Sequence, residues 1–560
     1  MSRGLCAALA VLLLAGRVAA GPDAPPLTAD GAAKAVAKAW QEKDEGQVKA
    51  LAAQDDPDPW AVADALLVLG AKEAAEAFAK AAPRKDVERL PAFVAAWGAS
   101  AHDKAAREAI AKGNAALGAK RFAEALEAFS AAPAEAAAFL RLRCAYGAGL
   151  ALGALGRPAE AADRFCATAT EAETLGWLAR ASASLKECIR SDAAAGRLPK
   201  ATETAKRLLV LETARSTRAG LALAHVLSGR VAVEALRWDD AHAAYTAALK
   251  AFREIGDSAR EAATLNDLAW ASRGRKKLAD IEDAVTASLA ISELAGFSAE
   301  AARSHEILAT VHVDLGRLNG AVDEYREALP HARKAGDAAM AARVQFLIGR
   351  YLGDLGDHEE ALEPLKASAE GFEALGPERR DGATSVRARW AWSLAALGKA
   401  DEARPHVERA AAAAKSSKSP LVQGAVLRAR ARLLRAEGKV AEAVAAYREA
   451  AAPLEAAQET TDAVLVLVEI AETQREAKDL PEARKTADAA VASARKQRDR
   501  FSVPVAIAAA ASVRKDQGEA KEALELARHA LKAFQDNRHV RGINAMSAMV
   551  SELEAAAGPR

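Results

Sequence analysis

The run L-G-D-L-G-D-H-E-E-A-L (Leu352 to Leu362) crowds Asp354, Asp357, His358, Glu359 and Glu360 into one short stretch. Those side chains could ligate a metal, work as an acid/base pair, or decorate a charged turn. A second candidate is His305 with His312, seven residues apart and therefore on one helical face, with Glu306 between them. No further ligand is identifiable, so they read as partly buried packing histidines. Cys144, Cys166 and Cys188 are spaced 22 apart. They read as small apolar packing residues, with a single bridge among them as the alternative; an odd number leaves at least one thiol unpaired. Of the familiar catalytic signatures, G-x-S-x-G, G-x-x-x-x-G-K-[ST], H-E-x-x-H and a C-x-x-C pair are all missing, and no strand is available to start a dinucleotide-binding turn. The expectation is a chain without catalytic residues, cofactor or metal.

Self-comparison shows what must position these residues. Taking an alanine as anchor gives Ala125, Ala161, Ala201, Ala241, Ala321, Ala361, Ala403, Ala443, Ala483 and Ala523, at intervals of 36, 40, 40, 80, 40, 42, 40, 40 and 40. The double interval holds a divergent copy centred on Ile281, which makes eleven units. Twelve residues before the anchor the residue is nearly always small (Gly113, Gly149, Gly229, Gly349, Ala391, Ala431), Ile189 being the exception, and four after it is mostly large and apolar (Phe129, Phe165, Tyr245, Leu365, Tyr447). Seven after it comes another small residue, so anchor, large and small residues share one helical stripe. Glycine recurs five residues before the anchor (Gly156, Gly196, Gly316, Gly356, Gly398, Gly438, Gly518) and fifteen after it (Gly176, Gly256, Gly296, Gly336, Gly376). A glycine at such a point ends a helix by taking positive φ. Each unit is thus helix A, a short turn, helix B and a short connection, stable only when stacked on its neighbours.

These columns resemble the tetratricopeptide repeat family, through units such as Gly349-Arg350-Tyr351-Leu352 with Gly356, Ala361 and Leu365, or Gly438 with Ala443, Tyr447 and Ala450. The period of 40 exceeds the family's usual 34, and the bulky first aromatic of the standard motif is mostly absent. HEAT-type repeats, of similar length, are the second reading. The resemblance implies an all-α, right-handed superhelical solenoid of about eleven antiparallel hairpins over residues 101–558, with helix A lining the inner surface. Residues 21–100 form a separate helical region; Ala61 to Ala82 is a divergent hairpin in which Ala74, Phe78 and Ala81 echo the stripe. The segment from Asp55 to Lys85 is similar to the leader of secreted bacterial repeat proteins that carry a CHAT protease domain, which gives an alternative reading: a regulatory arm of a larger protease or kinase assembly.

Residues 1–20 read as a signal peptide: Arg3, an apolar run from Leu5 to Ala15 too short to span a bilayer, then Val18-Ala19-Ala20. Export to the periplasm or the exterior follows, with no stable membrane insertion. Removing Arg3 and Arg17 leaves 75 basic against 76 acidic residues, a balance that argues against bulk capture of nucleic acid.

Carrying the family's inner surface over by offset selects Arg230, Trp270, Arg303, Arg343, Phe346, Arg350, Trp392, Arg428, Arg432 and Arg435. Such a lining suits a protein or peptide partner, acidic in character, with guanidinium groups meeting carboxylates and aromatic rings giving apolar anchors. The competing reading is that these arginines pair with acids on the neighbouring helix. On the partner reading, charge reversal of Arg428, Arg432 and Arg435 should weaken capture without unfolding the array. The opening stretch then becomes a joint: His358 stands in a column otherwise filled by Phe122, Leu198, Trp238 and Leu318, Glu360 in a carboxylate column at the start of helix B, and Asp357 at an N-cap position.

Overall fold

The computed structural model describes residues 29–52, 59–69, 71–81, 90–96 and 100–556; the leader at 1–20 and most of the Asp55–Pro59 break lie outside these. The described residues fold into helices α1 (Ala29–Gln41), α2 (Glu45–Ala52), α3 (Pro59–Val68), α4 (Lys72–Ala81), α5 (Leu90–Ala96), α6 (Ala101–Gly118), α7 (Phe122–Ser130), α8 (Ala138–Ala154), α9 (Pro158–Thr174), α10 (Leu178–Ala194), α11 (Leu198–Arg215), α12 (Arg218–Glu234) and α13 (Trp238–Ile255) in a first compact unit, Met1–Gly256. The second unit, Asp257–Arg560, holds α14 (Ser258–Gly274), α15 (Leu278–Ala295), α16 (Ser298–Asp314), α17 (Leu318–Lys334), α18 (Ala338–Leu355), α19 (His358–Ala374), α20 (Arg380–Ala396), α21 (Ala400–Ala414), α22 (Pro420–Ala436), α23 (Val440–Ala456), α24 (Thr460–Glu476), α25 (Leu480–Gln497), α26 (Ser502–Asp516), α27 (Ala520–Asp536) and α28 (Val540–Ala556). From α6 to α27 they are eleven consecutive hairpins, and α28 packs on the last of them. No strand occurs among the described residues.

The two glycine columns are the turns. Every glycine named in them has positive φ, from 71° to 102°. At Gly356 the turn closes as the family of helix ends with a left-handed residue does: the Gly356 amide donates to the Gly353 carbonyl at 3.0 Å and the Asp357 amide to the Leu352 carbonyl at 2.8 Å. At most positions where a column lacks glycine the backbone takes the same conformation, at Lys120, Leu236, Lys276 and Lys478 in the first column and at Ser216, Gln458, Arg498 and Arg538 in the second; Leu140 and Lys418 are the exceptions. Stacking geometry therefore dictates the turn, and glycine only relieves its cost.

The small and large columns meet directly. A Cβ added at Gly113, Gly149, Gly229 or Gly349 would sit 2.5–2.7 Å from the ring of Phe129, Phe165 or Tyr245, or from Leu365, in the same unit. Phe129 also faces Gly147 of the next hairpin, so one ring is clasped between two helix A backbones. The large side chain fills the joint inside its own hairpin as well as the gap to the neighbour.

In the first unit the helices before residue 100 share a core with the repeats. Trp60 stacks on Phe139 (5.9 Å) and Trp177 (5.6 Å), and buried Asp64 accepts hydrogen bonds from Arg107 and Arg143. Ala74 and Phe78 are buried as the stripe requires. The reading of all three cysteines as unbonded packing residues is corrected: Cys166 on α9 and Cys188 on α10 form a disulfide, their Cα atoms 5.5 Å apart, and Cys144 is the buried free thiol. Adjacent antiparallel helices bring the two β-carbons within bonding reach, which spacing along the chain does not reveal. Burial pushes the Cys144 thiol up to about 11.

Candidate functional site

Helices α18, α20, α22 and α24 are the A helices of successive hairpins, and in the second unit their inner faces converge. Between them lies a cavity of about 430 Å³, walled by Phe346, Leu347, Phe372, Trp392, Leu421 and Leu454 and bounded by Arg343, Arg350, Arg389, Arg428 and Asp462. Its floor is a lattice of buried ion pairs. Arg428 donates through Nη1 to Asp462 (2.5 Å) and through Nε to Glu469 (2.9 Å). Arg350 reaches across three hairpins to Asp462 (2.9 Å) and Glu459 (3.0 Å), and Arg389 donates to Asp354 (2.6 Å). Trp392 ties the lattice to the apolar wall: its indole N–H donates to Glu469 at 2.7 Å, while Arg389, Arg428 and Arg432 lie over its rings at 4.8, 5.0 and 5.5 Å.

Electrostatics follow from this packing. Burial alone would push Asp462 and Glu469 up, yet the arginines outweigh it and hold both below the usual carboxylate range: Arg350, Arg428 and Arg389 around Asp462, Arg428 and Arg432 around Glu469. Asp354 is held above its usual range by burial, which Arg389 only partly offsets; it lies behind Arg389, outside the cavity wall.

His358 packs edge-on against Trp392 at 4.9 Å, as its apolar column suggests. Burial, then Arg432 and Arg389, push it down to about 4. Asp357 stands at the N-cap position of α19, but its side chain makes no capping bond; its carboxylate pairs instead with Arg541 of α28 at 3.0 Å. A distant helix offers a full charge where the cap offers one amide. The His305/His312 pair is a packing pair: His305 hydrogen-bonds Glu324 at 2.9 Å and stacks on His331, and His312 lies against Gly320.

Of the ten residues selected from the sequence, Arg343, Phe346, Arg350, Trp392 and Arg428 border the cavity, and Arg432 covers the back of Trp392. Arg435 pairs with Glu476 and Glu472, and Arg303 pairs with Asp267 at 2.5 Å. Trp270, 37% exposed, is covered by Arg273, and Arg343 engages Glu306. Arg230 belongs to the first unit. The arginines of the second unit thus meet acids of nearby helices, the competing reading of the list. Asp354, Arg389, Asp462 and Glu469 escaped the selection. Arg389 and Glu469 share one offset from their anchors, fourteen residues, and that shared column of opposite charges is the signal that could have found them.

Comparison with known proteins agrees with this architecture. Residues 300–374 match the sequence profile described as tetratricopeptide repeat. No curated protein matches the sequence. Among solved structures, the apo form of RapI aligns with a TM-score of 0.51 at 14% identity, over 64% of this chain and 98% of that one. Yeast Tom70 aligns over 82% of this chain and 98% of its own, at 14% identity and a TM-score of 0.32. At 14% identity the likeness to RapI is one of fold. Residues 300–374 match the tetratricopeptide repeat, and the described residues from 101 to 536 are an array of helix hairpins.

Proposed function

We propose that this chain is a non-catalytic, exported scaffold whose second unit holds a protein or peptide partner by seating an apolar side chain in the cavity between Phe346, Phe372, Trp392 and Leu421. The observation that carries this reading is the cavity itself, apolar walls over a floor whose charges are already paired. A floor of satisfied guanidinium groups adds little pull on a distant acid but fixes the walls rigidly, so apolar fit contributes the affinity and charge the orientation. An acidic partner remains the expectation at the rim, where Arg343 is half exposed. Export rests on the leader at residues 1–20.

A photo-crosslinking amino acid at Leu421 or Phe346, compared with one at Leu294, 92% exposed and not part of the cavity wall, tests the proposal. Discrete adducts from both cavity positions are expected, those from Phe346 abolished by Leu421→Arg. Equal labelling from Leu294 would remove the cavity from the account.

A further inference from the structure

The repeat interval lengthens once within the second unit, to 42 residues between Ala361 and Ala403. The added length is accommodated where Gly376 leads into a 3-10 turn, Pro377–Arg379, between α19 and α20. Behind that turn lies a second cavity of about 450 Å³, separate in chemistry from the first. Three arginines line it, Arg380, Arg387 and Arg409, against one carboxylate, Glu373. Arg387 is only 9% exposed, and its Nη2 donates to Glu373 Oε1. Arg409, from α21, reaches the same oxygen at 3.7 Å. His406, one turn before Arg409, lies against Trp390 with ring centroids 4.1 Å apart.

The contrast with the first cavity is one of balance. There, each buried arginine has two carboxylates or shares in a lattice of them; here one carboxylate serves a nearly buried guanidinium and a second one beside it. Arg387 is pushed below the usual guanidinium range by burial and then by Arg409. His406 is likewise pushed down by burial and then by Arg387 and Arg409. Three guanidinium groups against one carboxylate leave the cavity lining with a formal excess of two positive charges, of which only Arg387 is withdrawn from solvent, and such a lining favours an anion.

We propose that the cavity between the Pro377–Arg379 turn, α20 and α21 binds a phosphate group, with Arg387 as the buried fork, Arg409 closing over the anion and Arg380 at the rim. The planar guanidinium of Arg387 offers paired N–H donors to two oxygens, and a dianion matches the uncompensated charge. Glu373 holds the fork in place and competes with the ligand.

Isothermal titration of the full chain with inorganic phosphate, in chloride buffer of matched ionic strength, tests this. Saturable binding at one site per chain is expected. Arg409→Gln, at a side chain 65% exposed, should weaken it about tenfold. Arg387→Gln should abolish it, and Glu373→Gln, which removes the internal competitor, should tighten it by about tenfold. A parallel titration with O-phosphoserine separates the sources: tighter binding than inorganic phosphate indicates a phosphate carried on a larger molecule, weaker binding a free one. Because Arg409 is exposed, its variant should fold even if that of Arg387 does not. Absence of saturable binding, or binding that Arg409→Gln leaves unchanged, would overturn the proposal.

Discussion

At the residue scale, Arg428 is a structural cation. At 5% exposure between Asp462 and Glu469, it cannot be reversed in charge without setting three buried negative groups together, so the sequence-based expectation that such a change spares the fold is revised. Arg428→Ala should destabilise the second unit by about 3–5 kcal/mol, measured by denaturant unfolding. His358 supplies the pH dependence. The free side chain takes its proton near 6.5, but the folded one resists down to about 4, facing Trp392, Arg389, Arg432, Glu469 and Arg541. Between those values the unfolded chain binds a proton that the folded chain refuses, so stability falls as pH falls through that window. The loss attributable to His358 between pH 7 and pH 5 should be about 2 kcal/mol. His358→Leu, which restores the residue type of its sister column, should flatten that slope; an unchanged slope would assign the sensitivity to other groups.

At the element scale, the turns and joints make opposite predictions. Leu236 is 70% exposed and holds φ at 56°, so Leu236→Gly should raise stability, by about 0.5–1 kcal/mol, because a side chain in the left-handed region costs more than the glycine's extra freedom. Gly229→Ala should lower it by about 1–3 kcal/mol, since the new methyl meets the Tyr245 ring at 2.6 Å. Both are readable from thermal melts. The contrast also shows what periodicity could and could not reveal. Hairpin boundaries, turn positions and the small-on-large joint were legible because each depends on residues within one or two units, repeated until chance is excluded. The floor of the cavity was half legible. Offset from the anchor found Arg350, Trp392 and Arg428, but their partners lie 112, 77 and 34 or 41 residues away, and no local pattern specifies which columns face each other across a coil. The Cys166–Cys188 bridge was hidden for the same reason. Reducing it should cost the first unit roughly 3 kcal/mol, through freedom regained by the 22-residue loop, and a melt with and without reductant reads that directly.

At the scale of each compact unit, stacking is not the whole account. In a plain repeat array each hairpin meets only its neighbours, and stability sums along the line. In the second unit the α16–α17 and α18–α19 turns also meet the array's far end. Asn319 donates to the Arg538 carbonyl at 3.1 Å, Arg541 grips Asp357 and the Gly356 carbonyl, and Gly316 lies against Arg500. Arg541→Ala should therefore lower the sharpness of unfolding of this unit, seen as a smaller m-value or a split transition, more than its exposed position alone suggests.

That clasp also limits how the protein can evolve. A linear array tolerates gain or loss of a hairpin anywhere, since every junction is equivalent. Here the turn at Gly356 must arrive opposite Arg541, and the turn at Gly316 opposite Arg500, after a fixed number of steps. Deleting one forty-residue hairpin between them would preserve every neighbouring junction and still bring the wrong residues face to face, so this unit is selected as a counted object whose length is part of its specification.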